Sequence, residues 1–428
     1  MPVADYGLMA LNRTKHNSCY KKAYICNKKE DKGTKSYLDV YTKSMLAYRH
    51  DLTSYEMHGK VNDDSTFGSL AWSPDATHLA YIAEKKIPAS KSFYDYVKKE
   101  TEETVRGEEF KFTESWGEQL AEVVSPVICI IEISTGEINI PILPPNISPM
   151  DLVWSDTHLY FIGAKTDPFK LGLVFCTNRE MALYSLDNIT KECVAITGSG
   201  RAVYSPRLEQ MTGKVVFLEA ELIGPHRTYA ALKVYMPGTK EIHTVPNSIE
   251  LGIHADLHDN PWVDQHHLLC TPTDKWRNIT VCIDIRTGES KHSLTEPDRH
   301  YSIIDQIGSK ALVSHSGPNA VGQFQQQVFL LTIGARLLDL NLLFNVNNTV
   351  EETCLFKGYD FEREGRKYNG FLVSPKEKEN DKNTLLVFPH GGPHGASVAA
   401  FSPAVHSEFL FVIFEDSDNL ETNFKYLH

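Results

Sequence analysis

Residues 71–83 read AWSPDATHLAYIA, and residues 153–162 repeat the same order of residue types as VWSDTHLYFI. Each copy has a tryptophan, a serine and a short polar turn, followed by a run of branched and aromatic residues that favours a β-strand. Weaker copies begin at Tyr204 and Trp262. A unit that recurs along the chain predicts a set of similar β-sheets, and its tryptophans are expected to pack between sheets rather than bind a ligand.

A second unit, strand–turn–strand, alternates with the first at residues 127–140, 233–242 and 281–289. Two of its copies share a Thr-Gly-Glu turn, in which glycine adopts a positive φ without steric cost. Together the two units make one antiparallel sheet for each repeat of about 40 to 50 residues, a length typical of a β-propeller blade. Only four sheet cores are clear, so the number of blades stays open. Residues 87–119, rich in Lys and Glu, predict a polar insertion at the rim.

The composition near the end of the chain indicates a second domain. We expect a mainly β fold in which residues 1–350 form the propeller and residues 351–428 begin an α/β domain. Residues 354–361 and 368–373 predict a strand pair, and the apolar run 385–388 predicts a buried strand. A buried strand that ends at a glycine-rich turn is typical of α/β folds.

The overall composition excludes several classes of protein. The chain has 428 residues, a formal net charge of −12, 42% hydrophobic and 23% charged residues, as in a soluble globular protein. An acidic balance argues against nonspecific nucleic-acid binding, and no apolar run approaches the ~18 residues that cross a membrane. The eight cysteines lack the spacing of zinc ligands and are expected to be free thiols in the cytoplasm. No metal or cofactor is expected.

The turn that follows the strand at residues 385–388 reads His-Gly-Gly-Pro and carries the chemistry. α/β-Hydrolases build half of their oxyanion hole at such a turn, where backbone N–H groups stabilise a tetrahedral intermediate. Because glycine has no side chain to block close approach, the backbone N–H of Gly392 is the candidate donor. His390 is expected to order the loop. An ordinary strand-to-loop turn is the alternative, and it stays open.

A nucleophile to accompany this turn is missing. A hydrolase serine sits in Gly-x-Ser-x-Gly, and that pattern occurs nowhere in the 428 residues. Ser397 is the nearest candidate, but it lacks the downstream glycine and is better interpreted as a helix N-cap. A metal site at His390 and His394 would need further Asp, Glu or Cys ligands, and none of these occurs nearby before Glu408. Six further histidines are assigned to propeller loops without chemistry: His78, His158, His254, His258, His266 and His267.

With these residues placed, the chain resembles the acylaminoacyl-peptidases (acylamino-acid-releasing enzymes) of the prolyl oligopeptidase family. The resemblance runs in order from about residue 20 to about residue 405. The segments that carry it are residues 72–86, 115–118, 167–172, 175–184, 205–208 and 389–394.

The resemblance implies a propeller of about seven blades, followed by an α/β-hydrolase domain with a Ser-Asp-His triad. Such enzymes remove N-acylated, often N-acetylated, amino acids from short peptides by serine acyl transfer. They need no cofactor, work in the cytoplasm and often form homo-oligomers. Their propeller keeps folded proteins from the active site.

This sequence departs from the family pattern after about His406, because the segments that would hold the triad Ser, Asp and His do not follow. We therefore expect a C-terminally truncated hydrolase domain, inactive alone and poorly packed over residues 351–428. The alternative is a non-catalytic propeller module that binds full-length subunits, so the sequence leaves enzymatic activity open.

Overall fold

The structure is a computed structural model, and it describes only part of the chain. The described residues are 6–12, 21–30, 33–87, 90, 94, 106–107, 110–174, 176, 178–222, 229–253, 255–294, 300–316, 327–333, 338–344, 354–375 and 387. The chain divides into two compact units, Met1–His226 and Arg227–His428.

The first unit is built from antiparallel strands that follow one another in sequence. They are β1 (Tyr6–Asn12), β2 (Lys21–Glu30), β3 (Gly33–Thr42), β4 (Met45–Asp51), β5 (Leu70–Trp72), β6 (His78–Glu84), β7 (Pro126–Glu132), β8 (Ile138–Asn139), β9 (Ile147–Trp154), β10 (His158–Lys165), β11 (Met181–Asp187), β12 (Cys193–Ala195), β13 (Arg201–Leu208) and β14 (Val215–Glu221). Strands β1 to β4, β5 to β8 and β9 to β12 each form one four-stranded sheet in sequence order. Strand β13 pairs with β14.

The first strands of these sheets lie next to one another. Strand β1 contacts β5, β5 contacts β9, and β9 contacts β13. The first strand of each sheet is therefore the inner one, and the fourth strand is the outer edge. Successive four-stranded sheets that meet through their inner strands are the blades of a β-propeller.

The core between the first two sheets consists of apolar side chains from their facing surfaces. Leu38 and Val40 of β3 pack in one cluster with Trp72, Tyr81 and Ile131 of the second sheet. Burial of these side chains stabilises the stacking of the blades through the hydrophobic effect. Trp154 and Trp262 are also buried, which confirms that the repeated tryptophans pack inside the fold.

The second unit continues the same pattern. Its elements are β15 (Ala231–Met236), β16 (Glu241–Thr244), a 3-10 helix (Ile249–Leu251), β17 (His267–Cys270), β18 (Thr273–Asp274), β19 (Arg277–Asn278), β20 (Thr280–Asp284), β21 (Ser290–Leu294), β22 (His300–Ile307), β23 (Lys310–Ser316), β24 (Gln327–Ile333), β25 (Leu338–Phe344), β26 (Cys354–Arg363) and β27 (Arg366–Pro375). Strands β22 to β25 form a four-stranded sheet. Strands β15 and β16, β18 and β19, and β26 and β27 form hairpins, and β17, β20 and β21 form a three-stranded sheet.

These elements confirm the repeated units and the strand pair at the end of the described region. Strands β7 and β8, β15 and β16, and β20 and β21 are the three predicted strand–turn–strand units. The boundary predicted near residue 350 stays a prediction, and most of the insertion at residues 87–119 lies outside the described residues.

Two expectations differ from the structure. Val387 is the described residue of the apolar run 385–388, and it lies outside any strand with its side chain 74% exposed. His78, His158 and His267 begin strands β6, β10 and β17 instead of lying in loops. Each of these histidines starts its strand because its carbonyl accepts the backbone hydrogen bond that closes the preceding turn, from the N–H of Ser73, Ser155 and Val263 respectively. None of the helices in the described part of the chain is both long enough and apolar enough to cross a membrane.

Candidate functional site

The residues predicted to stabilise an oxyanion are not placed by the structure. Gly392 and His390 both lie outside the described residues, as do His394 and Ser397. Their assignment stays a prediction from the sequence. The described residues show instead the sheets that precede the predicted oxyanion turn in the chain. They also show which side chains of these sheets could react or bind a ligand.

Three of the described cysteines are poor nucleophiles. Burial raises the pKa of Cys129 and Cys270 to about 12 and that of Cys193 to about 11. Since the thiolate is the reactive form, these thiols are inert at neutral pH. Within the described ranges, no group of three or more His, Cys, Asp or Glu side chains could hold a metal ion.

One buried histidine is held neutral by its burial and has a hydrogen-bond partner at each ring nitrogen. The carbonyl oxygen of Gly59 lies 2.7 Å from His58 Nδ1, and the Tyr81 hydroxyl lies 2.7 Å from His58 Nε2. Because a carbonyl oxygen only accepts, Nδ1 carries the proton and the Tyr81 hydroxyl donates to Nε2. Burial lowers the pKa of His58, so this pair is a structural link inside the core.

The serine of the repeated unit closes the turn between the first and second strands of a sheet. The Ser73 N–H donates to the carbonyl of His78, and the Ser73 Oγ accepts from the His78 N–H at 2.9 Å. Ser155 makes the same two bonds with His158. The serine that follows each tryptophan therefore has a local structural role, not a catalytic one.

The turn between the third and fourth strands is equally regular. In the second sheet, Glu132 and Glu137 are joined by a backbone hydrogen bond, and the Gly136 N–H donates to the carbonyl of Glu132 at 2.8 Å. Gly136 has a φ of 78°, as the sequence predicted for this glycine. Lys191 and Lys240 place a positive φ at the same position of the corresponding turns, and the hairpins between β13 and β14 and between β20 and β21 do so with Gly213 and Gly288.

Acidic residues that start these turns face the histidines. His158 lies opposite Asp187 in the register of β10 and β11, with Nε2 and Oδ2 3.7 Å apart. His267 lies opposite Asp284 at 3.8 Å and also contacts Asp264 at 2.9 Å. Backbone N–H groups of Thr190 and Ile189 lower the pKa of Asp187. The histidines thus lie beside carboxylates that start the turns. The sequence analysis missed these pairs, because His158 and Asp187 are 29 residues apart whereas His267 and Asp284 are 17 residues apart.

A second feature that recurs on the inner strands is a β-bulge. In β9 the register with β10 shifts between Met150 and Val153, and Asp151 has a φ of 51°. In β13 the register with β14 shifts between Tyr204 and Arg207, and Ser205 has a φ of 57°. A proline inside a strand indicates a bulge, so Pro206 could have predicted the bulge in β13 from the sequence.

Both bulges occupy the same position, three residues before the end of the inner strand. Bulges re-aim side chains and concentrate near functional sites. Ser205 is buried, whereas Asp151 is partly exposed between the buried side chains of Met150 and Leu152. The bulge on the inner strand of the third sheet therefore carries a partly exposed acidic residue, Asp151.

Comparison with known proteins agrees with this architecture. A model of the N-terminal domain of acylamino-acid-releasing enzymes matches residues 11–216. The acylamino-acid-releasing enzyme of Rattus norvegicus is 34% identical over 430 residues, which cover 89% of this chain and 57% of that protein. The enzyme of Homo sapiens is 28% identical over 425 residues, with the same two coverages.

Solved structures share the fold at low sequence identity. The acylaminoacyl peptidase of Pyrococcus horikoshii matches 92% of this chain and 62% of its own, with a TM-score of 0.51 and 11% identity. Prolyl oligopeptidase B of Galerina marginata matches 87% of this chain and 47% of its own, with a TM-score of 0.54 and 11% identity. The chain spans 57% of the length of the curated relatives named above. The propeller blades and these matches make the chain similar to the acylamino-acid-releasing enzymes, whose N-terminal domain is matched by residues 11–216.

Proposed function

We propose that this chain supplies the substrate-gating propeller and the oxyanion turn of a serine peptidase that removes N-acylated amino acids from short peptides. The observation that carries the proposal is the run of propeller blades over residues matched by the N-terminal domain of acylamino-acid-releasing enzymes. Substrate class, a cytoplasmic location and a homo-oligomeric state are part of the proposal and come from the family relationship.

The chemistry assigned to this chain is limited to oxyanion stabilisation. In acyl transfer, a donor aimed at the developing negative charge contributes on the order of 10²–10³ in rate. The backbone N–H of Gly392 is the proposed donor, and His390 is proposed to order the turn around it. The 428 residues contain no Gly-x-Ser-x-Gly segment to supply the nucleophile.

The first experiment uses the chain by itself. Incubated with an N-acetylated alanine anilide, the purified chain should show no turnover above background and no labelling by an organophosphate. A covalent acyl adduct on any serine, detected by mass spectrometry, would contradict this part of the proposal. Co-purification of the chain with a full-length relative would favour the alternative of a binding module.

The second experiment restores a complete hydrolase. Residues 1–405 are joined to the remaining C-terminal part of the Rattus norvegicus relative, to which the chain is 34% identical. The chimaera should cleave short N-acetylated peptides and reject an N-acetylated folded protein. Gly392→Val in the chimaera should lower kcat by about 10²-fold, because the added side chain blocks approach of the oxyanion. A matched Gly395→Val variant should retain activity, and equal losses in both would refute the assignment of Gly392.

A further inference from the structure

The hairpin of β26 and β27 has one packed face and one exposed face. Because side chains alternate along a strand, the register places one set together on the packed face: Phe356, Gly358, Asp360 and Phe371. A Cβ at Gly358 would lie 1.9 Å from the ring of Trp276, so the hairpin backbone rests directly on that ring. The Asp360 carboxylate also pairs with Lys275. This face is therefore fixed to the turn between β18 and β19.

The opposite face of the hairpin is apolar and exposed. Its four large apolar side chains are 42–56% exposed: Leu355, Tyr359, Phe361 and Tyr368. The Phe361 and Tyr368 rings stack with centroids 5.6 Å apart, and Lys357 Nζ lies 5.0 Å from the centre of the Tyr359 ring. A two-stranded hairpin is at most marginally stable in water by itself, and a contiguous exposed apolar face marks a binding surface. We therefore expect another segment to cover this face.

The exposed face is basic at the tip of the hairpin. Arg363 and Arg366 form its last residue pair there, whereas Asp360 and Glu362 belong to the packed face. Glu364 in the turn lies 3.6 Å from Arg363 and offsets only one of the positive charges. A second copy of this face would bring like charges together. The charge therefore favours an occupant that is both apolar and acidic.

A later segment of the chain has this composition. Residues 409–414 are FLFVIF, and residues 415–421 are EDSDNLE, with four acidic residues. The hairpin face has the same order, because the apolar side chains come first along β26 and the arginines follow. Six extended residues cover about 20 Å, the span of residues 355–361. The other apolar run after β27, residues 385–388, is not followed by an acidic residue before Glu408.

We propose that residues 409–421 bind the exposed face of the β26–β27 hairpin within the same chain. The apolar residues 409–414 cover the four exposed apolar side chains, and the carboxylates of Glu415 and Asp416 lie near Arg363 and Arg366. The segment runs in the direction of β26, toward the tip of the hairpin. Residues 376–408 connect the two, and their extended length of about 110 Å is more than sufficient. The inference is independent of the proposed peptidase function, because it concerns a surface of this chain alone.

Zero-length cross-linking of the full chain tests the inference. Arg363→Lys keeps the positive charge and introduces an amine, which a carbodiimide joins to a carboxylate in direct contact. Peptide mass spectrometry should find this amine joined to Glu415 or Asp416. Lys367 is the internal control, because the register places it on the packed face opposite Glu362. A mixture of ¹⁴N- and ¹⁵N-labelled chains distinguishes links within one chain from links between two chains.

We expect links to residues 409–421 in single-isotope products, with a yield at the introduced amine about tenfold above that at Lys367. Adding Phe361→Ser should lower this yield about fivefold, because it removes an apolar contact. Ile249→Ser is the matched control and should leave the yield within about twofold, since Ile249 is 55% exposed on another element and Phe361 is 56% exposed. Mixed-isotope links would assign the face to a second copy and overturn the inference. Absence of the link, equal yields at the two amines, or equal effects of the two serine variants would overturn it as well.

Discussion

Gly136 offers a prediction whose size can be worked out from the structure. Its φ of 78° is matched by that of Gly200, also in the first unit, so alanine at either position carries the same backbone cost. That cost is about 1–2 kcal/mol, offset by about 0.5–1 kcal/mol from the reduced entropy of the unfolded chain. The surroundings differ: a Cβ at Gly200 meets nothing within 4 Å, whereas a Cβ at Gly136 lies 2.5 Å from the Tyr55 hydroxyl.

The Tyr55 hydroxyl cannot move without breaking a hydrogen bond. It lies 2.9 Å from His50 Nδ1, while His50 Nε2 lies 3.0 Å from the carbonyl oxygen of Ile133. A carbonyl only accepts, so Nε2 carries the proton and Nδ1 must accept from Tyr55. Displacing the hydroxyl removes that bond and leaves a buried acceptor unsatisfied, at about 1–3 kcal/mol. Gly136→Ala should therefore cost about 2–4 kcal/mol, and Gly200→Ala about 1 kcal/mol.

Urea unfolding followed by tryptophan fluorescence measures both losses, provided that the slope of the free energy with urea stays unchanged. A double-mutant cycle with Tyr55→Phe isolates the cause, because that variant lacks the hydroxyl that the new Cβ displaces. In the Tyr55→Phe background, the loss of stability from Gly136→Ala should exceed the loss from Gly200→Ala by less than about 1 kcal/mol. Equal losses at Gly136 and Gly200, or an excess that survives Tyr55→Phe, would refute the reasoning.

Three further predictions concern stability. Lys240 has a φ of 60° and an exposed side chain, so Lys240→Gly should raise the free energy of unfolding by about 0.5 kcal/mol, and a lower urea midpoint would contradict this. Burial lowers the pKa of His300 from 6.5 to about 4, so the unfolded chain binds the proton first. Stability should fall by about 3 kcal/mol as the pH drops from 6.5 to about 4, and His300→Gln should flatten that part of the curve; an unchanged slope would argue against it. Arg49 donates two hydrogen bonds, at 2.7 and 2.5 Å, to Asp39, whose side chain is fully buried. Arg49→Met should cost about 3 kcal/mol by leaving that carboxylate unpaired, and a loss under about 1 kcal/mol would rule this out.

The parts of the fold that could be predicted from the sequence are those fixed by local chemistry. Ser73 and Ser155 each close a turn with atoms only a few residues away, so the Trp-Ser unit is visible wherever it occurs. Gly136 and Gly288 mark positive-φ positions that the residue type itself reveals. Such signals need no knowledge of the tertiary structure.

The parts that could not be predicted depend on backbone geometry held by distant contacts. Lys191 occupies the same turn position as Gly136, with a φ of 61°, but a lysine in the sequence gives no indication of a positive φ. The bulge at Asp151 is likewise stabilised from another sheet, through the bond from Leu152 to Ser69. The predicted Gly392 and His390 lie beyond the described residues, so their site rests on the sequence motif and on the resemblance to acylamino-acid-releasing enzymes.

The outer edge of the first sheet shows how this fold limits unwanted pairing. The outer strands β8 and β12 have two and three residues, but β4 has seven and exposes Met45 and Tyr48. Long apolar edge strands invite pairing with another chain. Two features oppose it here: a bulge opposite Val40 interrupts the register of β4, and the Asp51 carbonyl already accepts hydrogen bonds from the Ser54 N–H and hydroxyl. Between the bulge and Asp51, only a short part of the β4 backbone is regular enough to pair with another strand. The exposed apolar side chains of β4 therefore do not by themselves predict association through this edge.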